Sequence, residues 1–250
     1  HLHSNSWGSY GNTYDSECID IDEYHYDHDD FLVLFAAGND GSAEGFYSVA
    51  SPATSKNSIS VGASSSSASF DNLAYFSSMG PTFDNRFKPD IVAPGQPTIS
   101  SAARPGQESC GTVSMSGTSM ATPAVAGNAA LIRQYFSDNL FWASTCNTDY
   151  SSCGTFDPRG ATVKAILIHS GETMSQHKSA LGAIETSFSL GNPPDVTQGF
   201  GRVALPNVLP LSGTTVSGFD LFVDEMAMST HQTMTYSVSV TGSGAPLKAT

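Results

Sequence analysis

The chain has 250 residues, 10 of them Lys or Arg and 23 Asp or Glu, for a formal net charge of −13. That sign argues against nucleic acid or an anionic membrane surface as a partner. No apolar run is long enough to span a bilayer, and no signal-peptide pattern occurs. With 39% hydrophobic and only 13% charged residues, the composition is that of a compact α/β protein, large enough for one core or one core plus a small module. Its acidity suits high-salt or calcium-containing surroundings.

Residues 4–8 read as a strand end, broken by Gly8, Gly11 and Asn12. The next stretch, 15–30, carries eight acids, with Cys18, Ile21 and His25 spaced as one helix face. This predicts an amphipathic helix with a solvated acidic side. Calcium is the functional alternative for the acids, but the stretch lacks the Asp-x-Asp-x-Asp-Gly loop pattern. Phe31-Leu32-Val33-Leu34-Phe35-Ala36 is a continuous apolar run, as expected of a parallel strand covered on both faces. It delivers Ala36, Ala37, Gly38 and Asn39 to its carboxyl end, where ligands bind in open α/β sheets.

A second short strand is predicted at Ser58–Ala63, a serine-rich loop at Ser64–Ser69, and a proline-punctuated approach to a strand at Lys88–Gly95. The charges of that last segment read as structural. Gly117-Thr118-Ser119-Met120-Ala121-Thr122-Pro123 opens a small-residue helix that continues through Ala129–Phe136. Ser119 thereby falls at a helix N-terminus, where free N–H groups and the helix dipole favour negative charge. For a lone serine, capping would be the commoner role. Asn39, within Gly-Asn-Asp-Gly, has a turn role as its plain alternative. Thr162–Ile168 reads as a helix packing on the sheet. After about residue 212, Gly218–Val223 and Thr233–Val240 alternate apolar and polar, which predicts antiparallel strands.

There are four cysteines, Cys18, Cys110, Cys146 and Cys153. A disulfide between Cys146 and Cys153 would close a short polar loop and fit an oxidising compartment. A zinc site lacks the paired Cys-x-x-Cys spacing. Whether Cys18 and Cys110 pair is left open.

Gly117–Pro123 resembles the nucleophile motif of the subtilisin-like serine proteases. Phe35-Ala36-Ala37-Gly38-Asn39 resembles the strand end that carries their oxyanion-hole asparagine. Ser4-Asn5-Ser6-Trp7-Gly8 is similar to the strand lining their substrate cleft. Phe76–Pro81 followed by Lys88–Gly95, and later Gln198–Val203, are similar in the same order. The resemblance spans roughly residues 4–210. It implies a three-layer α/β fold with a mostly parallel sheet over residues 1–211, followed at 212–250 by the start of a β-sandwich.

The resemblance also implies a serine endopeptidase acting on protein or peptide substrates in a secreted or extracytoplasmic setting. Ser119 would be the nucleophile and Asn39 the oxyanion donor. Ser6, Trp7, Gly8, Ala36, Ala37 and Gly38 would line the substrate cleft. No cofactor is needed for that chemistry, and structural calcium is the family's expectation, with no ligands assigned. The family's triad runs Asp, His, Ser along the chain. No Asp-Thr-Gly or His-Gly-Thr run occurs here, so the Asp and His are expected upstream of residue 1. The seven histidines, His1, His3, His25, His28, His169, His177 and His231, read as surface or core residues. An α/β-hydrolase esterase fails for want of Gly-x-Ser-x-Gly. A catalytically silent binding protein on the same scaffold is the alternative from another class.

Overall fold

Strand β2 (Leu32–Ala36) is buried along its whole length. It pairs in parallel with β1 (Leu2–Asn5) on one edge and β3 (Ile59–Ser65) on the other. Past the end of β2, β4 (Asn72–Leu73) joins β3 antiparallel, and β5 (Ile91–Gln96) pairs with β3 in parallel. The short strand β8 (Gln176–His177) extends the sheet beside β4. β6 (Thr98–Ser101) and β7 (Thr112–Met115) form a separate, solvent-facing antiparallel hairpin. The helices are α1 (Ser16–Asp27), the single turn α2 (Gly41–Glu44), α3 (Thr118–Ser137) and α4 (Gly160–His169). The computed structural model describes residues 1–66, 70–103, 106, 110–142, 154–177, 190–210, 221–226, 228–237 and 247–250.

Side chains alternate across a strand, and β2 divides its apolar residues accordingly. Leu32 and Leu34 join the main core, where Val125, Ala129, Ile132 and Phe136 of α3 and Val163 and Leu167 of α4 pack on them. Val33, Phe35 and Ala37 face a second, smaller core with Val49 and Ala53, against which Ile21 of α1 packs. Helices on both faces of a mostly parallel sheet give the predicted three layers. The acidic helix forms as expected, with the Asp15 carboxylate accepting from the Cys18 N–H as its cap.

One acid of that helix, Asp22, is engaged structurally. Asp22 accepts from the backbone N–H groups of Lys56 and Asn57 and from the Tyr14 hydroxyl. No cluster of three or more His, Cys, Asp or Glu among the described residues is arranged to hold a metal ion. Across the helix, His25 is clasped at both ring nitrogens. Its Nδ1 lies 2.8 Å from the Ile21 carbonyl and its Nε2 accepts the Val33 N–H at 3.1 Å. Those partners require a neutral ring, and burial lowers its pKa from 6.5 despite the Ile21 bond.

Charges of the Lys88–Gly95 segment are structural, as predicted. Lys88 Nζ lies 2.6 Å from Asp90 Oδ2, with both side chains almost fully buried. Asp90 also accepts the Ser60 N–H at 2.7 Å, and Lys164 Nζ stands 3.8 Å from its other oxygen. Burial pushes the Lys88 pKa down to about 8 even beside Asp90. Burial would raise Asp90, but Lys164, Lys88 and the hydrogen bonds outweigh it and hold the carboxyl below its ordinary value.

Two expectations change. The serine-rich loop starts later, because Ser64 and Ser65 extend β3 alongside Pro94 and Gln96. Leu221–Val223 and Thr233–Ser237 are described but adopt no strand. Leu221 and Val223 instead pack on the main core, and Phe222 meets the Tyr236 ring 5.7 Å away. Cys18 is buried and Cys110 exposed, both as free thiols. Cys146 and Cys153, with their expected disulfide, lie outside the described residues, as do 67–69, 211–220 and 238–246.

Candidate active site

The carboxyl ends of β1 and β2 open onto a cleft of about 280 Å³ beside the start of α3. Its lining includes Ser6, Trp7, Gly8, Ala36, Gly38, Asn39, Thr118 and Ser119, together with Tyr10 and Ala50. Seven of the eight residues expected at the site therefore meet in one place. Ala37 does not: it is fully buried in the smaller core, its N–H bonded to the Val61 carbonyl. The period of two explains the difference, since neighbours in an extended segment point to opposite faces.

Ser119 occupies the second position of α3, after Gly117 as N-cap and Thr118 as first residue. Its side chain does not cap the helix. The Oγ instead donates to the Ser6 carbonyl at 3.3 Å. Capping falls to Asn39, whose Oδ1 accepts the Thr118 N–H at 2.9 Å and the Thr118 hydroxyl at 3.1 Å. With Oδ1 committed to Thr118, the Asn39 amide presents Nδ2 as its spare donor. The Ser119 N–H likewise has no acceptor among the described residues. Among the described residues, two unspent donors thus lie at the helix N-terminus that carries Ser119.

Buried Thr118 is the linchpin, and sequence reading passed over it. Its hydroxyl also lies 3.3 Å from both the N–H and the carbonyl oxygen of Gly38, so one side chain joins the β2 terminus to α3. Gly38 has φ +115°, and a Cβ there would stand 2.7 Å from Ser78 Oγ. That hydroxyl receives the Asp40 N–H at 3.1 Å. Gly38 therefore has both a backbone and a packing reason to be glycine.

Trp7 is not a core residue. The residue is 53% exposed, and its ring stands edge-on to Phe35 at 5.4 Å, steadied by Nε1 donating to Asn5 Oδ1 at 3.3 Å. It forms a firm aromatic rim to the cleft, with Tyr10 fully out in solvent beside it. None of the seven histidines lines the cleft. Among the described residues, the acceptor that Ser119 Oγ meets is a peptide carbonyl, which cannot take a proton at neutral pH.

A mostly parallel sheet with its cleft at the carboxyl strand ends, and a serine at a helix N-terminus beside an asparagine, are the features of a subtilisin-like α/β fold. The chain belongs to the subtilase family, a family of serine-type peptidases, whose model matches residues 1–201. It is 28% identical to the serine protease/ABC transporter B family protein tagD of Dictyostelium discoideum, over 70% of this chain and 14% of that protein. It is 42% identical to the serine protease AprX of Bacillus subtilis, over 41% of this chain and 26% of AprX. The chain thus spans a minor part of these relatives.

Among solved structures, the prenylagaramide maturation protease PagA superposes with TM-score 0.58 at 21% identity, over 82% of this chain and 60% of PagA. Sphericase gives 0.55 at 21%, over 81% of this chain and 56% of its own.

Proposed function

We propose that this chain carries the nucleophile and the oxyanion donors of a serine endopeptidase, with the general base and its orienting acid supplied from outside these 250 residues. One observation carries the reading: Ser119, at the N-terminus of α3, and Asn39, whose amide oxygen is anchored to Thr118, line the same cleft. A substrate peptide runs along Ser6, Trp7 and Gly8 and presents its scissile carbonyl to Ser119. Ser119 Oγ attacks the carbonyl carbon as its proton passes to the base. The oxygen of the tetrahedral intermediate becomes negative and accepts from Asn39 Nδ2 and the Ser119 N–H. Collapse expels the leaving amine, which takes the proton back, and water then hydrolyses the acyl-enzyme.

Ala36 and Gly38, small on the cleft side, leave room for the side chain before the cut. No step calls on a metal or cofactor. Calcium would serve stability alone, and a secreted or extracytoplasmic setting accords with the acidic surface.

The test is hydrolysis of a chromogenic peptide and of casein by the complete polypeptide, beside its Ser119→Ala variant. Hydrolysis lost in the variant supports the reading. A folded, fully processed polypeptide that cleaves neither substrate would instead point to a silent binding scaffold.

A further inference from the structure

Pro123 sits four residues after Ser119 inside α3 and has no N–H. In a regular helix the N–H of residue i+4 would close onto the Ser119 carbonyl. Here that carbonyl lacks its helical donor at the residue whose position the chemistry depends on. The gap is filled from another element: the Ser6 hydroxyl, just past β1, donates to the Ser119 carbonyl at 2.9 Å. The Ser119 hydroxyl donates in return to the Ser6 carbonyl at 3.3 Å. The two serines form a two-bond clasp, one bond through the side chain of each.

We propose that Ser6 is a positioning residue. Its hydroxyl substitutes for the helix hydrogen bond that Pro123 removes, and so fixes the peptide unit of Ser119 against the strand that lines the cleft. Its role in catalysis rests on Ser119 being the nucleophile, as proposed above. Holding the Ser119 carbonyl also fixes its Cα, hence the direction of its N–H and Oγ. The Ser6 backbone serves substrate lining whatever its side chain, so the hydroxyl has a separate task. The proline makes that task testable, because replacing it returns the missing N–H.

Acylation rate, kcat and KM are to be compared in the complete polypeptide for wild type, Ser6→Ala, Ser6→Thr, Pro123→Ala and the double variant Ser6→Ala/Pro123→Ala. Ser6→Ala is expected to slow acylation and kcat by about tenfold to a hundredfold, as misplacement of a reacting group does. KM should stay nearly constant, the pattern of a loss felt in the transition state. Ser6→Thr keeps the hydroxyl and most of the rate. Pro123→Ala restores most of the rate in the Ser6→Ala background while changing the wild type little.

An unchanged rate in Ser6→Ala, or no recovery in the double variant, would overturn the proposal. Amide hydrogen exchange at Met120 and Ala121 reads the clasp even if the wild type does not acylate. Faster exchange in Ser6→Ala, reversed in the double variant, supports the clasp; equal protection in all variants overturns it.

Discussion

The two ends of the sheet are built from the same strands and treat polar groups in opposite ways. At the amino ends of β3 and β5, Lys88, Asp90 and Lys164 are drawn inward. Their donors and acceptors are spent on one another, on the Ser58 carbonyl and on the Ser60 N–H. At the carboxyl ends of β1 and β2, polar groups of Ser6, Asn39 and Ser119 line an open cleft. There Asn39 and Ser119 are anchored and, among the described residues, each keeps one donor unspent: Asn39 is held through Oδ1 with Nδ2 spare, and Ser119 through Oγ and its carbonyl with its N–H spare. Saturated hydrogen bonding marks a structural cluster, since breaking it leaves an uncompensated buried charge. Spare donors at a helix N-terminus mark a place where charge can develop. The buried charge cluster therefore lies apart from the proposed site of chemistry.

Substitutions should separate the two ends. Asp90→Ala strands Lys88 in the interior and should lower stability by about 3–5 kcal/mol in urea unfolding. The folded fraction should react at Ser119 at the native rate. Loss of reactivity without loss of stability would dissolve the contrast. Asn39→Asp keeps the oxygen that accepts from Thr118 but removes the donor, and should slow acylation by about a hundredfold to a thousandfold. Its unfolding midpoint should barely move.

Thr118→Val tests the joint between β2 and α3. It leaves the Asn39 carbonyl and its neighbours short of a buried hydrogen bond and should cost about 1–3 kcal/mol, with a drop in rate as well. The smallest effect is in pH. The folded pKa of His25 lies below its ordinary 6.5, so the unfolded chain binds the extra proton first as pH falls. The stability it contributes is complete above about pH 6.5 and is lost as pH falls through the folded pKa. His25→Gln should flatten that slope in pH-dependent thermal melts while leaving labelling of Ser119 unchanged.

Much of the framework was legible in the residues. The unbroken apolar run at Phe31–Ala36 is a parallel strand because both of its faces are covered, and the small-residue run after Ser119 is a helix packed tightly on β3 and β5. Other features depend on contacts far apart in sequence. Thr118 is one threonine among many until folding sets it against Gly38 and Asn39, 80 and 79 residues away. Ser6 could be read as cleft backbone, but its hydroxyl bond to Ser119 spans 113 positions. The missing N–H of Pro123 was the available local signal.

Ala37 was misplaced because the motif was read as a block and the strand alternation was not applied within it. The β6–β7 hairpin lacks a clean apolar alternation, being exposed on nearly every residue. The alternation near residues 221 and 236 has no strand partner among the described residues, so pattern alone does not make a ladder there.

The central claim, that the chemistry lies at the carboxyl end of the sheet with Ser119 as nucleophile, is tested most directly by covalent labelling. The complete, processed polypeptide is treated with a fluorophosphonate probe, digested, and the adduct mapped by mass spectrometry beside a Ser119→Ala control. The account predicts one adduct, on the peptide containing Ser119, absent from the control. An unlabelled folded protein, or an adduct that survives in the control, would contradict it.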